Sequence, residues 1–201
     1  MRILAGIFAL FFLLSTARGE LTSFEREAEA FAEIYSLAYA LCKTTDDNPE
    51  AQKNFCDAVE DLERSLDQGY PEALFAIGAY YASGKDAIVG KDNFLTFKWL
   101  NKAAKKGHAK AQRFAGAMYL QGIGVRQDIE EGINYLKSAG NQGDVDSYMI
   151  LGTLFLKGEL VKKDLKKAMY YYGAMCDLGE QLGCDFYKEV NEALLKEKYK
   201  E

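Results

Sequence analysis

The residues of this chain best suited to chemistry are four cysteines and one histidine. Cys42, Cys56, Cys176 and Cys184 are even in number and can close two disulfides in any of three pairings. A zinc site built from the same four thiols is a competing reading. It needs short C-x-x-C-like knuckles, whereas the neighbouring cysteines here are 14 and 8 positions apart. With His108 alone, a histidine-based metal site or a Ser-His-Asp triad is hard to build. His108 follows a glycine in a turn, where an exposed or capping role is expected. No serine has a lysine three residues on, and Lys105-Lys106-Gly107 falls at a helix end rather than on a strand, so a serine acyl-transfer site is not in view. The glycines form no phosphate-binding or dinucleotide-binding pattern. The residues therefore predict structural cysteines, with no catalytic group, no metal site and no cofactor.

The redox compartment decides what those cysteines do. Residues 1–19 read as a secretory signal: Arg2 supplies a positive start, and residues 3–14 (ILAGIFALFFLL) form an uncharged apolar run. That run is too short for a bilayer-spanning helix, which needs about 20 apolar residues. Ala17 and Gly19 supply small side chains ahead of a cut before Glu20, and no cysteine follows that cut to carry a lipid. The expectation is an exported protein, periplasmic or secreted and bacterial, with no membrane insertion after signal cleavage. Disulfides persist in such compartments. A hydrophobic content of 49% with 13 tyrosines and 12 phenylalanines excludes a disordered chain. The net charge is −5, so nucleic acid is not an expected partner.

The elements that must hold these residues show as a repeat. Gly69, Gly107, Gly143 and Gly179 recur at steps of 36 to 38 residues, as do Gly78, Gly116 and Gly152, and Gly84, Gly122 and Gly158. Asp92, Asp128 and Asp164 keep the same period, as do Trp99, Tyr135 and Tyr171. Each unit reads as two helices. Helix A spans residues 72–83, 110–121 and 147–157, and ends at a glycine suited to a left-handed C′ position. The aspartate that follows sits where the N-cap of helix B belongs. Helix B runs to the next C′ glycine. The mid-helix glycines cost about 1 kcal/mol each in helix propensity, so their recurrence predicts close helix–helix approach. Apolar stripes fit this arrangement. In helix A they are Ala73/Ala111/Ser147, Ile77/Ala115/Leu151 and Tyr81/Tyr119/Phe155; in helix B, Phe97/Ile133/Met169, Leu100/Leu136/Tyr172 and Ala104/Gly140/Cys176. Residues 20–70 form a degenerate N-terminal pair, with helices over 24–41 and 50–68 joined by a turn at Asp46-Asp47-Asn48-Pro49. Residues 71–182 hold three repeats, and residues 183–201 a C-terminal capping helix, placed over 185–201. The fold class is all-α, an α/α solenoid of antiparallel helix pairs with about four repeats.

The segments PEALFAIGAYYASG with WLNKAAKKG, AKAQRFAGAMYLQGIGV with YLKSAGNQG, and VDSYMILGTLFLKGELVKKDLKKAMYYYGAMCDLG resemble the Sel-one-like repeat, a relative of the tetratricopeptide repeat. The last unit, Cys176-Asp177-Leu178-Gly179 followed by Gly183-Cys184, is similar to the Helicobacter cysteine-rich proteins. That resemblance implies a bridge from Cys176 to Cys184, joining helix B to the next helix. Ala104/Gln112 and Gly140/Tyr148 stand at the corresponding places of the other repeats. For Cys42 and Cys56, one near the end of a helix and one inside its antiparallel neighbour, a bridge needs Cα atoms within about 7 Å. The sequence neighbours are thus the expected pairs. The resemblance also implies an alternative function, binding or hydrolysis of β-lactams or cell-wall peptides.

The surface supplies the remaining candidates. In stacked helical repeats the A helices line a concave side. Opposite the apolar stripe they carry Phe75, Arg113 and Met149, and beyond them Ser83, Gln121 and Lys157. An exposed Phe and Met beside an Arg are suited to anchoring a partner segment. The expected function is an exported, non-enzymatic module that binds a protein or peptide in this groove, for example as a periplasmic immunity or chaperone-like protein.

Overall fold

The computed structural model describes residues 23–42, 53, 56, 57, 60, 63, 64, 70–83 and 91–198. The proposed signal at 1–19, the turn at 46–49, most of the helix placed at 50–68, and Gly69 and Gly84 lie outside the described residues. Among the described residues there are eight named helices and no strand. The chain divides into two compact units at His108/Ala109.

The first unit contains α1 (Ser23–Cys42), α2 (Pro71–Ser83) and α3 (Asn93–Lys105). The described residues 53, 56, 57, 60, 63 and 64 are also helical. α2 packs on both α1 and α3. Tyr35, Leu74, Ile77, Tyr81 and Trp99 are almost fully buried between them, and the Tyr35 ring meets Trp99 edge-on at 5.0 Å. Glu63 ties three helical segments together. It accepts the Tyr35 hydroxyl at 3.1 Å, Lys98 Nζ at 2.7 Å and Lys102 Nζ at 2.9 Å. Both ammonium groups also lie over the Trp99 ring, at 5.1 and 4.7 Å from its centroid. Burial pushes the Glu63 carboxyl up, but Lys98 and Lys102 outweigh it and hold the group below its ordinary value of 4.5.

The second unit contains α4 (Ala109–Gln121), α5 (Ile129–Gly140), α6 (Val145–Lys157), α7 (Leu165–Asp177) and α8 (Gln181–Lys198), each packed on the next. Three local devices shape the pairs in both units. Asp92, Asp128 and Asp164 adopt extended backbone and accept the N–H of the residue three positions on, each cap being worth about 1 kcal/mol. Their own N–H groups bond back to Tyr81, Tyr119 and Phe155 carbonyls, closing the A-to-B loop. Helix B then ends in a paired 6→1 and 5→2 hydrogen-bond turn at Gly107, Gly143 and Gly179, whose φ angles of 89 to 90° favour glycine.

The expected close approach is present. A Cβ added at Gly116 would stand 2.9 Å from the Gly132 carbonyl oxygen, and one at Gly132 would stand 2.9 Å from that of Gly116. Gly78 and Gly152 are filled instead by the side chains of Leu100 and Tyr172. Most stripe positions are buried, but Ala73, Tyr119 and Cys176 are only half-buried, and one helix B row shifts. Phe97, Ile133 and Met169 are only half-buried, and the neighbouring row Thr96, Gly132 and Ala168 takes the fully buried place. Helix starts also shift. The A helices begin at Pro71, Ala109 and Val145 rather than at 72, 110 and 147. Asp144 caps α6 by accepting Ser147 N–H at 2.9 Å and Ser147 O–H at 2.8 Å, which makes Ser147 the third helical residue rather than the first. α8 begins at Gln181, four residues before the expected start, because the turn at Gly179 needs only Glu180 to enter the next helix.

Two outcomes follow for stability. Gly116→Ala gains helix propensity but drives a methyl into backbone, so it should lower stability by about 1–3 kcal/mol. Gly173→Ala meets only Tyr187 at 3.3 Å and should lose far less. Thermal melts of both variants check this. The Glu63 carboxyl is held low in the folded state, so its stabilisation is complete above its ordinary 4.5 and is lost as pH falls through the folded value. Melting midpoints of wild type and Glu63→Gln should therefore differ at neutral pH and converge in acid.

Candidate interaction surface

The six residues expected to meet a partner all lie on A helices, but their environments differ. In the first unit Phe75 is half-buried, and its ring stacks on His108 with centroids 4.5 Å apart and planes 18° from parallel. This corrects the expectation of an exposed Phe75; of the two roles expected for His108 it takes the capping one, its backbone N–H donating to the Ala103 carbonyl at 3.2 Å. The turn at Gly107 reverses the chain after α3 and lays the imidazole on α2. Ser83 is exposed and donates to the Tyr80 carbonyl at 2.7 Å, closing the last turn of α2.

In the second unit Arg113 is held rather than mobile. Its Nε donates to Asp144 Oδ2 at 3.1 Å, its Nη1 lies 3.4 Å from Asp146 Oδ2, and its guanidinium covers the Phe114 ring at 4.5 Å. The planar fork of arginine suits two carboxylates and an aromatic face at once. Asp144 therefore has two tasks: one oxygen caps α6 and the other receives Arg113. The pairing joins α4 to the start of α6. Met149 is half-buried, a correction to the exposed placement, while Gln121 and Lys157 are exposed. Sequence reasoning missed Asp144 and Phe114. Asp144 stands directly after the C′ glycine, a capping signal that could have been read. Phe114 keeps 41% of its surface exposed, the clearest apolar anchor on α4.

The cysteines pair as sequence neighbours. Cys42 joins Cys56 with Cα atoms 5.1 Å apart, and Cys176 joins Cys184 at 4.6 Å. The second bridge fastens α7 to α8. Several tyrosines have raised pKa values. Burial, with Glu131 nearby, pushes Tyr135 up to about 12, and Tyr135 stacks on Tyr119 at 5.9 Å. These phenols are packing groups and are not poised as acids at neutral pH.

The Sel1 repeat pattern matches residues 71–108, 109–144 and 145–180, more than half of the chain. The chain belongs to the Sel1 repeat family. Each matched Sel1 repeat holds one A–B helix pair: α2–α3, α4–α5 and α6–α7. The solved Sel1 repeat protein of Oxalobacter formigenes is 26% identical with a TM-score of 0.56, covering 81% of this chain and 63% of that one. Chitin synthase regulatory factor 3 of Schizosaccharomyces pombe is 39% identical over 72 residues, which are 36% of this chain and 8% of that protein. Helicobacter pylori cysteine rich protein B is 24% identical with a TM-score of 0.43, covering 59% of this chain and 97% of that one. This chain thus spans under two thirds of the Oxalobacter protein and a small part of the yeast protein. The Sel1-repeat solenoid is a fold typical of protein–protein interaction modules.

The double role of Asp144 gives a measurable asymmetry. Asp144→Ala removes a helix cap and an ion-pair partner and should cost about 1–2 kcal/mol. Arg113→Gln loses only partly exposed ion pairs and should cost less than about 1 kcal/mol. Denaturant titrations of both variants test the order; equal losses would show that the cap adds nothing beyond the ion pair.

Proposed function

We propose that this Sel1-repeat chain is an exported, non-enzymatic interaction module that binds a protein or peptide partner through its A helices, in the manner of a periplasmic immunity or chaperone-like protein. The observation that carries this reading is the division of labour on α4 and α6. One side of each helix is consumed by packing, through Ala111, Ala115 and Gly116 on α4 and Ser147, Leu151 and Gly152 on α6. The other side presents Phe114, Gln121 and Lys157, with Arg113 set beside Phe114 by two aspartates. A cation and an aromatic held in place before binding lose little entropy when a partner arrives. Phe75, backed by His108, and Ser83 offer the same kind of surface on α2. Export is supported by the signal-like residues 1–19 and by the two disulfides. No helix among the described residues is long and apolar enough to cross a membrane.

The test begins with the oxidised chain from residue 20 onward, used to capture a stoichiometric partner from bacterial envelope extract. Arg113→Glu would place a third carboxylate beside Asp144 and Asp146, so Arg113→Gln is the better probe. Arg113→Gln, Phe114→Ala and Phe75→Ala should each weaken the captured partner about tenfold or more, equivalent to about 1.4 kcal/mol, while each retains a cooperative melt. Unchanged affinity in all three would falsify the A-helix reading.

A further inference from the structure

The loop from α6 into α7, KGELVKKDLKK over residues 157–167, carries five lysines in a chain of net charge −5. The equivalent stretch one repeat earlier, QGIGVRQDIEE over 121–131, has the same skeleton. Val125 and Val161 correspond, Asp128 and Asp164 both cap a helix, and Gly122 and Gly158 both adopt positive φ. The charges correspond at one basic position, Arg126 and Lys162, and differ elsewhere. Lys157 replaces Gln121, Lys163 replaces Gln127, and Lys166 and Lys167 replace Glu130 and Glu131. Glutamates in a first turn favour the helix dipole, and lysines there oppose it. Lys167 gains an ion pair with Asp164 and a place over the Phe155 ring, but Lys166 has no ion pair among the described residues to offset the dipole, and a local rule broken without structural gain points to function. The helix end itself is occupied, since Asp164 already caps it.

Two of these lysines, Lys163 and Lys166, line a shallow, open groove of about 300 Å³ together with Asp164, Leu165, Leu194 and Glu197, and Lys162 precedes Lys163 in the chain. Lys167 is engaged with Asp164 at 3.8 Å and lies over the Phe155 ring. Lys157, Lys162, Lys163 and Lys166 are exposed and form no ion pair among the described residues. Leu160, 44% exposed, extends the apolar part of the surface along the loop.

We propose that this groove binds an acidic peptide segment in which carboxylates flank one aliphatic side chain. The carboxylates meet Lys162, Lys163 and Lys166, and the aliphatic group enters between Leu165 and Leu194. A nucleic-acid backbone offers charge alone and would leave the space between the two leucines empty; an anionic membrane offers both charge and apolar chains, and vesicle binding separates it from a peptide. Glu197 at the groove wall turns the peptide's acids toward the lysine side. The proposal rests on the reading of the chain as an interaction module, but it names a surface separate from Arg113 and Phe114.

The test uses the full chain with both disulfides and a fluorescent Gly-Glu-Asp-Leu-Asp-Glu-Gly peptide, read by anisotropy in dilute salt. Saturable binding is expected. It should weaken about tenfold in Lys163→Glu/Lys166→Glu and also fall in Lys163→Gln/Lys166→Gln. Lys137→Glu, on the exposed side of α5, should leave it unchanged. A peptide with Ser in place of Leu should bind several-fold more weakly, and salt near 0.2 M should reduce the affinity of both peptides. Absence of peptide binding, wild-type affinity in both lysine variants, or equal affinity for the Leu and Ser peptides overturns the proposal. Preferential binding to phosphatidylglycerol vesicles or duplex DNA overturns it as well. No captured partner enters this assay, so its failure leaves the A-helix reading standing, and the converse also holds.

Discussion

Small residues at the centre of each helix pair, which bring the α4 and α5 backbones into contact and admit Leu100 and Tyr172 in the other two pairs, are the constraint on which the rest of this structure depends. At Gly116 and Gly132 the two helices meet with no room for a side chain on either. Helix pairs this close bury small side chains completely, and Ala103, Ala111, Ala115, Ala139 and Ala168 are all within 1% of full burial. Small residues in the seam move the bulky ones to its margins. There, Leu100, Leu136 and Tyr172 lie over the mid-helix glycines. A larger seam residue would separate the pair and strand those side chains, because a close-packed interior relaxes only partly around a change in volume.

The turns enforce this approach. An aspartate cap at the start of helix B and a left-handed glycine at its end fix where the chain leaves and re-enters each pair. The carbonyl of the last aromatic of helix A accepts the aspartate's own amide, so the loop has little freedom to drift. These devices satisfy the orphan groups of helix ends that would otherwise remain unpaired. The same turns also place function-bearing groups. Gly107 delivers His108 onto Phe75, and Gly143 delivers Asp144 to both α6 and Arg113.

Charge is distributed unevenly over this repetitive frame. In the first unit a single carboxylate, Glu63, gathers two lysines and a tyrosine around a buried tryptophan. In the second, Arg113 gathers two aspartates, and the 157–167 loop gathers lysines that the preceding repeat lacks. Repeats share their packing residues because neighbours must stack, whereas their solvent-facing residues are released from that demand. Differences between repeats at equivalent exposed positions are therefore where recognition is to be sought.

Periodicity alone made the helix pairs, the loop lengths, the caps Asp92, Asp128 and Asp164, and the mid-helix glycines Gly78, Gly116 and Gly152 legible. Each depends on contacts between residues close in the chain or one repeat apart, and such contacts leave a fixed spacing. Periodicity did not disclose the Asp144 cap or Gly132. The Cys176–Cys184 pair was legible from the resemblance of the last repeat, and the Cys42–Cys56 pair from its place in a helical hairpin. The sequence did not disclose how the candidate surface is arranged. Phe75 and Met149 proved half-buried, Phe114 proved the exposed anchor, and Arg113 proved to be tied to Asp144 across 31 positions. A helical wheel assigns a residue to a side of its own helix. Which side chain from another turn covers that residue depends on the angle at which helices and loops meet. Only the tertiary structure sets that angle, because it comes from the packing of many side chains together.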